Sequence, residues 1–313
     1  MLAAQESGED SGDWRLVAEE TLDEAGSQPQ QNNPLVRRAL DPRAGVSTQR
    51  RLERDLKTAV FAGGLVLHYQ PRLALGSGAI VAAEALLRWP HPRLGLISPA
   101  TFIPIAERTN LITEIGGIVL RGACLEAVPW LAAAAGAAPP AVSVNVSARQ
   151  ITGGAVLGQI AAALDASGLP AERLELELTE STMLETSLET TLTLGAVRDL
   201  GVGIALDDFG TGYASLATLK RLPLTAVKLD RSLIRALPED REDAAIVQAL
   251  VATGHALGLT VVAEGIETEV QRAFLAGIGC DEGQGFLFSH PQPASAFATR
   301  LMVFAEAGEA ECG

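Results

Sequence analysis

The feature that most constrains the fold is a regular alternation of strand-like and helix-like segments between residues 64 and 289. Apolar runs rich in β-forming residues occur at 64–75, 79–89, 141–148, 173–180, 201–209, 225–230, 260–266 and 283–289. Segments with helical periodicity separate most of these runs, which favours a parallel α/β sheet. Eight strands over about 250 residues is typical of a (β/α)8 barrel, and a doubly wound open sheet is the alternative fold.

The first two runs do not follow this rule, because only the tripeptide GSG at 76–78 separates them. Such a short connection favours a hairpin and therefore an antiparallel pair. The region before residue 48 also differs, since it contains eight acidic residues and one arginine before residue 25, followed by the polar run GSQPQQNNP. We therefore predict a weakly structured acidic tail and linker at 1–48, a barrel at 49–300 and a C-terminal tail at 301–313.

Composition narrows the classes of partner and compartment. The formal net charge is −14, which argues against a broad binding surface for DNA, RNA or an anionic membrane. The N-terminus has no apolar signal core, and the three cysteines, Cys124, Cys280 and Cys312, are too widely spaced to indicate a disulfide framework or a zinc site. These features predict a cytoplasmic protein with neither a membrane nor a nucleic-acid polymer as its partner.

Polar side chains recur inside or at the ends of the apolar runs. They are Glu84, Asn145, Glu177, Asp207, Asp208, Lys228, Glu264 and Gln284. Taken singly, each has an ordinary explanation as a surface charge or a loop residue. In a barrel, however, all of them converge on the mouth at the carboxyl ends of the strands, where active sites of such folds lie. The joint pattern therefore favours a functional site.

The residue types indicate the chemistry of this site. Carboxylate and amide oxygens are hard ligands that suit Mg²⁺, Mn²⁺ or Ca²⁺. The acids exceed the need of one Mg²⁺, so we predict two ions with Asp207 bridging them and Asp208 beside it. Successive strand side chains point to opposite faces, so both aspartates reach the mouth only if the chain bends there, and we predict that Gly210 and Gly212 permit the bend.

The order of short motifs resembles the EAL domain family, the cyclic di-GMP phosphodiesterases. The matching segments are HYQP (68–71), EALLRW (84–89), FIPIAE (102–107), SVNVSARQ (143–150), ELTES (177–181), DDFGTGY (207–213), VKLDRS (227–232), VVAEGIE (261–267) and GCDEGQGFLFS (279–289). The resemblance extends from about residue 50 to residue 297. It implies a modified TIM barrel whose first strand is antiparallel, in agreement with the GSG hairpin.

The resemblance also implies an activity, the hydrolysis of cyclic di-GMP to linear pGpG with two Mg²⁺ or Mn²⁺ ions, and we expect Ca²⁺ to inhibit because it tolerates looser geometry. It implies one metal held by Glu84, Asn145, Glu177 and Asp207, and a second held by Asp207, Asp208 and Glu264. The remaining implied roles are contact of Lys228 with the attacking water, support of the metal-water shell by Gln284, substrate contact by Gln70 and Arg88, and anchoring by Glu180 of the loop that begins at Asp208. A homodimer is typical of the family, and the acidic tail is a candidate contact for a regulatory protein.

Three positions depart from the usual family pattern without removing a ligand. They are Arg72 after QP, Ala214 in the loop after the aspartates, and Glu282, which we expect to add an acid near the mouth and weaken affinity for an anionic substrate. Two alternatives compete with the phosphodiesterase. One is a catalytically weak cyclic di-GMP receptor acting through a protein partner, and the other is a barrel enzyme that removes a proton next to a carboxylate with Mg²⁺ and a lysine base.

Overall fold

The computed structural model describes residues 46–133, 138–179, 187–210 and 216–311. Within this part of the chain there are two compact units. The first contains residues 46–66 and 87–111, and the second contains residues 67–86 and 112–311. The predicted tail at 1–48 falls almost entirely outside the described residues.

The first unit contains a helix at Val46–Ala62 and the end of a long strand at Ile80–His91 (β2). A short strand at Gly95–Ile97 (β3) and a helix at Pro99–Arg108 complete it. Its first helix buries Leu52 and Leu56. The Trp89 ring meets the Phe102 ring edge to face, with centroids 5.8 Å apart. This apolar contact joins the end of the long strand to the second helix of the unit.

The second unit contains an eight-stranded closed barrel. Its strands are β1 Val66–Ala74, β2 Ile80–His91, β4 Ala141–Asn145, β5 Leu174–Thr179, β6 Gly203–Phe209, β7 Ala226–Leu229, β8 Thr260–Ala263 and β9 Glu282–Gln284. Val66 of β1 and residues 87–91 of β2 are counted with the first unit. They are hydrogen-bonded in the order β1-β9-β8-β7-β6-β5-β4-β2, and pairing of β1 with β2 closes the barrel. β1 is antiparallel to β9, whereas the neighbours from β2 through β4 to β9 run parallel. The predicted barrel with an antiparallel first strand is confirmed.

Helices connect the strands of the barrel. Within the described residues they are Leu111–Ala133, Ala148–Thr152, Ala155–Ser167, Leu188–Asp199, Leu216–Arg221, Arg231–Ile234, Arg241–Ala256, Glu269–Gly277 and Ala294–Glu311. Several begin where side chains satisfy free amide groups of the first turn, as at Asp240, whose Oδ1 accepts hydrogen bonds from the backbone N–H of Glu242 and of Asp243 at 2.8 and 3.2 Å. The last helix runs through residue 300, so secondary structure is continuous across the predicted C-terminal boundary.

Two short strands were not anticipated from the sequence. β3 pairs with the end of β2, and a strand at Gln292–Pro293 (β10) pairs with β1 opposite His68 and Tyr69. Strands of two or three residues leave too short a pattern of alternation to be recognised in a sequence. Among the described residues, no helix combines the length and the apolar character that crossing a membrane requires.

Candidate active site

The polar residues predicted to converge do lie together at the carboxyl ends of the parallel strands. Their positions are Glu84 on β2, Asn145 at the end of β4, Glu177 on β5, Asp207 and Asp208 on β6, Lys228 on β7, Glu264 directly after β8 and Gln284 at the end of β9. Several contact one another across the barrel interior rather than along neighbouring strands. These contacts are possible because the parallel strands of a closed barrel present their carboxyl ends at one opening.

Lys228 is the centre of the cluster and is fully buried. Its Nζ lies 2.8 Å from Glu177 Oε2 and 2.5 Å from Glu264 Oε1. The same atom is 3.4 Å from Asp207 Oδ1 and 3.7 Å from Glu84 Oε2. β7 is adjacent to neither β2 nor β5, so these contacts span the inside of the barrel. One ammonium group therefore faces four carboxylates.

Amide side chains fix the orientation of Glu84. Asn145 Nδ2 donates to Glu84 Oε1 at 2.7 Å, and Gln284 Nε2 donates to Glu84 Oε2 at 2.6 Å. Gln284 Nε2 also donates to Gln70 Oε1 at 3.1 Å, and Gln70 Nε2 donates to the Ser289 carbonyl at 2.9 Å. The carboxylate of Glu84 is thus held by hydrogen bonds from β4 and β9, and Gln70 is linked to the same network.

A bulge explains how two adjacent aspartates reach the same opening. The pairing of β6 with β7 shifts register between Leu206 and Phe209, and Asp208 has a φ of 58°. This left-handed conformation is rare for residues other than glycine, although aspartate tolerates it better than most. One carboxylate oxygen from each of Asp207, Asp208 and Glu264 lies within 4.8 Å of the others.

The predicted bend at the two aspartates is present, and Gly210 takes part in it. The bend begins at Asp208 itself, and Gly210 continues it with a φ of 100°. Gly212 lies outside the described residues. A bulge that breaks the strand's alternation cannot be read from apolar periodicity, because the pattern before it is that of an ordinary strand.

Burial and mutual repulsion disturb the acids of the cluster. Burial raises the pKa of Glu177 well above its usual range, and the charge of Glu84 adds to the rise. Burial likewise raises the pKa of Glu264 to about 7, against the opposing effect of Lys228. The pKa of Asp208 is raised by burial and then by Asp207.

Lys228 and Glu84 show the opposite balance. Burial alone would lower the pKa of Lys228, but the surrounding carboxylates, Glu177 first, outweigh it and raise that pKa well above the usual range. Burial would raise the pKa of Glu84, but the charge of Lys228 and the hydrogen bonds from Asn145 and Gln284 lower it. Lys228 is thus held as a cation and Glu84 as an anion.

The donor atoms of the cluster fit divalent cations. Within the described residues, Glu177 Oε1 and Gln284 Oε1 are buried and accept no hydrogen bond. A buried acceptor without a partner is costly unless another group satisfies it, and hard oxygen donors suit Mg²⁺ or Mn²⁺. Asp207, Asp208 and Glu264 add three carboxylates whose oxygens are close enough together to coordinate one ion. The acidic cluster can therefore bind metal.

A cleft of about 200 Å³ opens beside these residues. Its lining includes five predicted site residues, Gln70, Glu84, Asp207, Glu264 and Gln284. It also includes Arg231, Glu267 and Phe286, which the sequence did not single out as site residues although they stand in or beside the quoted motifs. Gly265 allows this arrangement, since a Cβ there would lie less than 2.5 Å from Arg231 Cβ.

Not all predicted residues belong to this described cluster. Arg88 lies on β2, four residues after Glu84, and its Nη1 donates to the Leu87 carbonyl at 3.0 Å. Glu180 and Ala214 lie outside the described residues. Glu282 was expected to add an acid near the mouth and to weaken affinity for an anionic substrate. It is not among the residues that line the cleft, and its carboxylate pairs with buried Arg72, with Nε–Oε2 at 2.6 Å, whereas its effect on affinity stays a prediction.

The fold and site together define a (β/α)8-type barrel with a buried lysine and an acidic, metal-competent cluster at the carboxyl ends of its strands. The sequence matches the family model described as the EAL domain over residues 53–291. The chain belongs to the EAL domain family, and the family resemblance found in the motifs is confirmed.

Characterised relatives include two proteins of Pseudomonas aeruginosa. The chain is 45% identical over 251 residues to the bifunctional diguanylate cyclase/cyclic di-GMP phosphodiesterase MucR, a match that covers 80% of this chain and 36% of the relative. It is 42% identical over 253 residues to the cyclic di-GMP phosphodiesterase NbdA, covering 81% of this chain and 32% of the relative. The match spans about a third of the length of these curated relatives.

A solved structure shows the same architecture. The PaMucR phosphodiesterase in complex with c-di-GMP has a TM-score of 0.74 and 45% sequence identity to this chain. The match covers 79% of this chain and 99% of that structure.

Proposed function

We propose that this chain hydrolyses one phosphodiester bond of cyclic di-GMP to give linear pGpG, with two Mg²⁺ or Mn²⁺ ions as cofactors. The observation that carries the proposal is the convergence of the strand-end carboxylates around Lys228 in a member of the EAL domain family. Likeness to a phosphodiesterase whose structure contains c-di-GMP supports the choice of substrate. With this activity, the protein would lower the level of the second messenger rather than act as its receptor.

The proposed metal ligands form two overlapping sets. Glu84, Asn145, Glu177 and Asp207 would hold one ion, and Asp207, Asp208 and Glu264 would hold the other. Bound there, the metals supply Lewis acidity and neutralise charge on the reacting phosphate. The proximity of Asp207, Asp208 and Glu264 supports the second set, and the unsatisfied Oε1 of Glu177 supports the first.

The chain's own groups would orient the reaction. In the proposed reaction, water loses a proton and its oxygen bonds to phosphorus, while the bond between phosphorus and the 3′ oxygen breaks. The 3′ oxygen takes up a proton to become a hydroxyl, and the 5′ phosphate remains on pGpG. Lys228 would orient the attacking water and stabilise negative charge on the phosphate oxygens. Gln284 would hold Glu84 through its 2.6 Å hydrogen bond, and Gln70 and Arg88 would bind the substrate. Glu180 would anchor the loop after Asp208.

The direct test is product analysis with purified protein. Incubation with cyclic di-GMP and Mn²⁺ or Mg²⁺ should yield pGpG by ion-exchange chromatography, and chelation with EDTA should stop the reaction. Excess Ca²⁺ should inhibit in competition with Mn²⁺. Ca²⁺ accepts more ligands and a less regular geometry than Mg²⁺, so it should occupy the site without holding the reacting groups in place. Tight binding of cyclic di-GMP without any product in Mn²⁺ would instead support the receptor alternative.

We further propose a domain organisation in which residues 49–300 form the catalytic domain. We also propose a homodimer, because a homodimer is typical of the family that the chain resembles. The acidic charge of the tail makes it a candidate contact for a regulatory protein. The few, widely spaced cysteines support a cytoplasmic location.

Removal of residues 1–47 should leave a folded, active protein. The first described helix buries Leu52, Leu56, Ala59 and Val60, all of which remain after this truncation. We expect the thermal midpoint to change by no more than about 2 °C, as for changes outside a core. Circular dichroism melting and the pGpG assay provide the measurements. A chain beginning at residue 58 is the matched control, because it lacks Leu52 and Leu56, and it should be clearly less stable. Equal loss in both truncations would contradict the proposed boundary.

A further inference from the structure

A buried ionic cluster lies inside the barrel and takes no part in the proposed chemistry. Arg72 on β1 is 5% exposed. Its Nη1 lies 2.7 Å from Glu175 Oε1 on β5, and its Nε lies 2.6 Å from Glu282 Oε2 on β9. On the shorter way round the barrel, β2 and β4 separate β1 from β5, so the contact with Glu175 crosses the interior. We call these three residues the lower ion cluster.

Each member of the lower ion cluster stands two positions from a proposed site residue. The pairs on one strand are Arg72 with Gln70 on β1, Glu175 with Glu177 on β5, and Glu282 with Gln284 on β9. Residues two apart in a strand point to the same face. Arg72 and Gln284 are also direct partners in the β1–β9 ladder. The cluster therefore forms a layer next to the site and fixes the same three strands.

Its charges are organised around the guanidinium group. Arg72 offers N–H groups in a rigid planar fork, and Nη1 and Nε contact carboxylates from two different strands. A buried ion pair contributes little net stability compared with apolar packing of the same shape, but removal of one partner leaves a buried charge without compensation. Without Arg72, two buried carboxylates would lie close together without a counter-ion.

The consequences reach the site through existing hydrogen bonds. Gln284 Nε2 bonds both Glu84 Oε2 and Gln70 Oε1, so a shift of β9 against β1 changes the position of Glu84. A shift of β5 moves Glu177, whose Oε2 is 2.8 Å from Lys228. The lower ion cluster forms no described ion pair with the cleft residues or with Lys228, although Arg72 and Glu175 are close enough to Glu177 for their charges to interact. Strand position is therefore the route that the hydrogen bonds of Gln284 provide.

We propose that Arg72 is a positioning residue, which aligns β1, β5 and β9 through Glu175 and Glu282 so that Gln70, Glu177 and Gln284 meet in the geometry that metal binding and turnover require. This inference rests on the proposed phosphodiesterase function.

The test compares Arg72→Met, Arg72→Lys and Glu282→Gln with the wild type. Mn²⁺ affinity is measured by calorimetry without substrate, and kcat and KM for cyclic di-GMP are measured well below the thermal midpoint. For Arg72→Met we expect Mn²⁺ affinity and kcat to fall by about 10- to 100-fold, the usual cost of removing a group that orients metal ligands, with a smaller change in KM. Arg72→Lys keeps the charge but loses the fork, so it should lie between Arg72→Met and the wild type.

Two controls separate positioning from plain stability. Val251→Ala removes buried packing in the helix Arg241–Ala256, and it should lower the thermal midpoint while leaving kcat and Mn²⁺ affinity near wild type. Arg272→Met breaks an exposed pair with Glu269 and should change nothing. In a Gln284→Ala background, Arg72→Met should cost less than in the wild type, because both act on the same geometry.

Several results would overturn the proposal. Wild-type kcat and Mn²⁺ affinity per folded molecule in Arg72→Met would show a stabilising role alone. If Arg72→Met does not fold, unchanged kinetics and metal affinity in both Arg72→Lys and Glu282→Gln would refute positioning, and a joint fall in both quantities would support it. If the wild type forms no pGpG, the proposed function fails, while the Mn²⁺ affinities of the same variants still decide whether Arg72 positions the site.

Discussion

Replacing Glu84 with alanine should reduce hydrolysis of cyclic di-GMP by at least about 10³-fold, which corresponds to about 4 kcal/mol of lost transition-state stabilisation by a metal. Glu84 accepts hydrogen bonds from Asn145 and Gln284 and lies 3.7 Å from Lys228. Its loss removes a proposed ligand and releases both amides. Single-turnover hydrolysis in Mn²⁺, with pGpG resolved by chromatography, measures the effect.

The fold should survive this substitution. Lys228 retains its contacts with Glu177 and Glu264, at 2.8 and 2.5 Å, so its charge stays compensated. Circular dichroism and thermal melting should therefore resemble those of the wild type. Glu269→Ala, at an exposed helix position, is a matched control that should retain full activity. Near wild-type turnover by Glu84→Ala would remove Glu84 from the ligand set.

Replacing Lys228 with alanine should lower kcat by about 10²-fold or more, by analogy with the removal of a preorganised donor. An interaction that acts mainly in the transition state affects kcat more than substrate binding. Cyclic di-GMP should therefore still bind when Ca²⁺ replaces the catalytic metal. Calorimetric affinity and single-turnover hydrolysis on the same preparation separate the two effects.

The structure sharpens this experiment, because Lys228 also balances the charge of four carboxylates. A purely balancing role predicts that bound metals make the lysine unnecessary. Lys228→Met fills more of the buried space than alanine and distinguishes a lost charge from a cavity. We expect both variants to lose kcat while Mn²⁺ affinity is unchanged or tighter, since the competing cation is gone. Parallel loss of substrate binding and rate would indicate a substrate-holding or structural lysine, and an unchanged rate would exclude Lys228 from the mechanism.

The arrangement of strands was predictable because each strand carries its own pattern. The apolar runs and their separations predicted the number and order of the barrel strands, and the GSG connection predicted the antiparallel first strand. The last run, 283–289, overlaps β9 only at residues 283 and 284, because the strand ends at Gln284. The convergence of Glu84, Glu177 and Lys228, which lie inside their strands, followed from the same pattern, since barrel topology brings the carboxyl ends of parallel strands together. The predicted ends of the strands were less accurate than their number. For example, β8 ends at Ala263 although the predicted run extends to residue 266.

What the sequence by itself determined was the barrel, its chain direction and the group of polar residues at its mouth, because these depend on local periodicity and on the order of elements. Only the tertiary structure decided that Asp208 adopts a left-handed conformation within a bulge, that Lys228 faces four carboxylates, and that Glu282 pairs with Arg72 rather than lining the cleft. Those arrangements join strands far apart in sequence. Their geometry depends on which side chains meet across the closed barrel interior. No local sequence pattern encodes the distance between side chains on different strands.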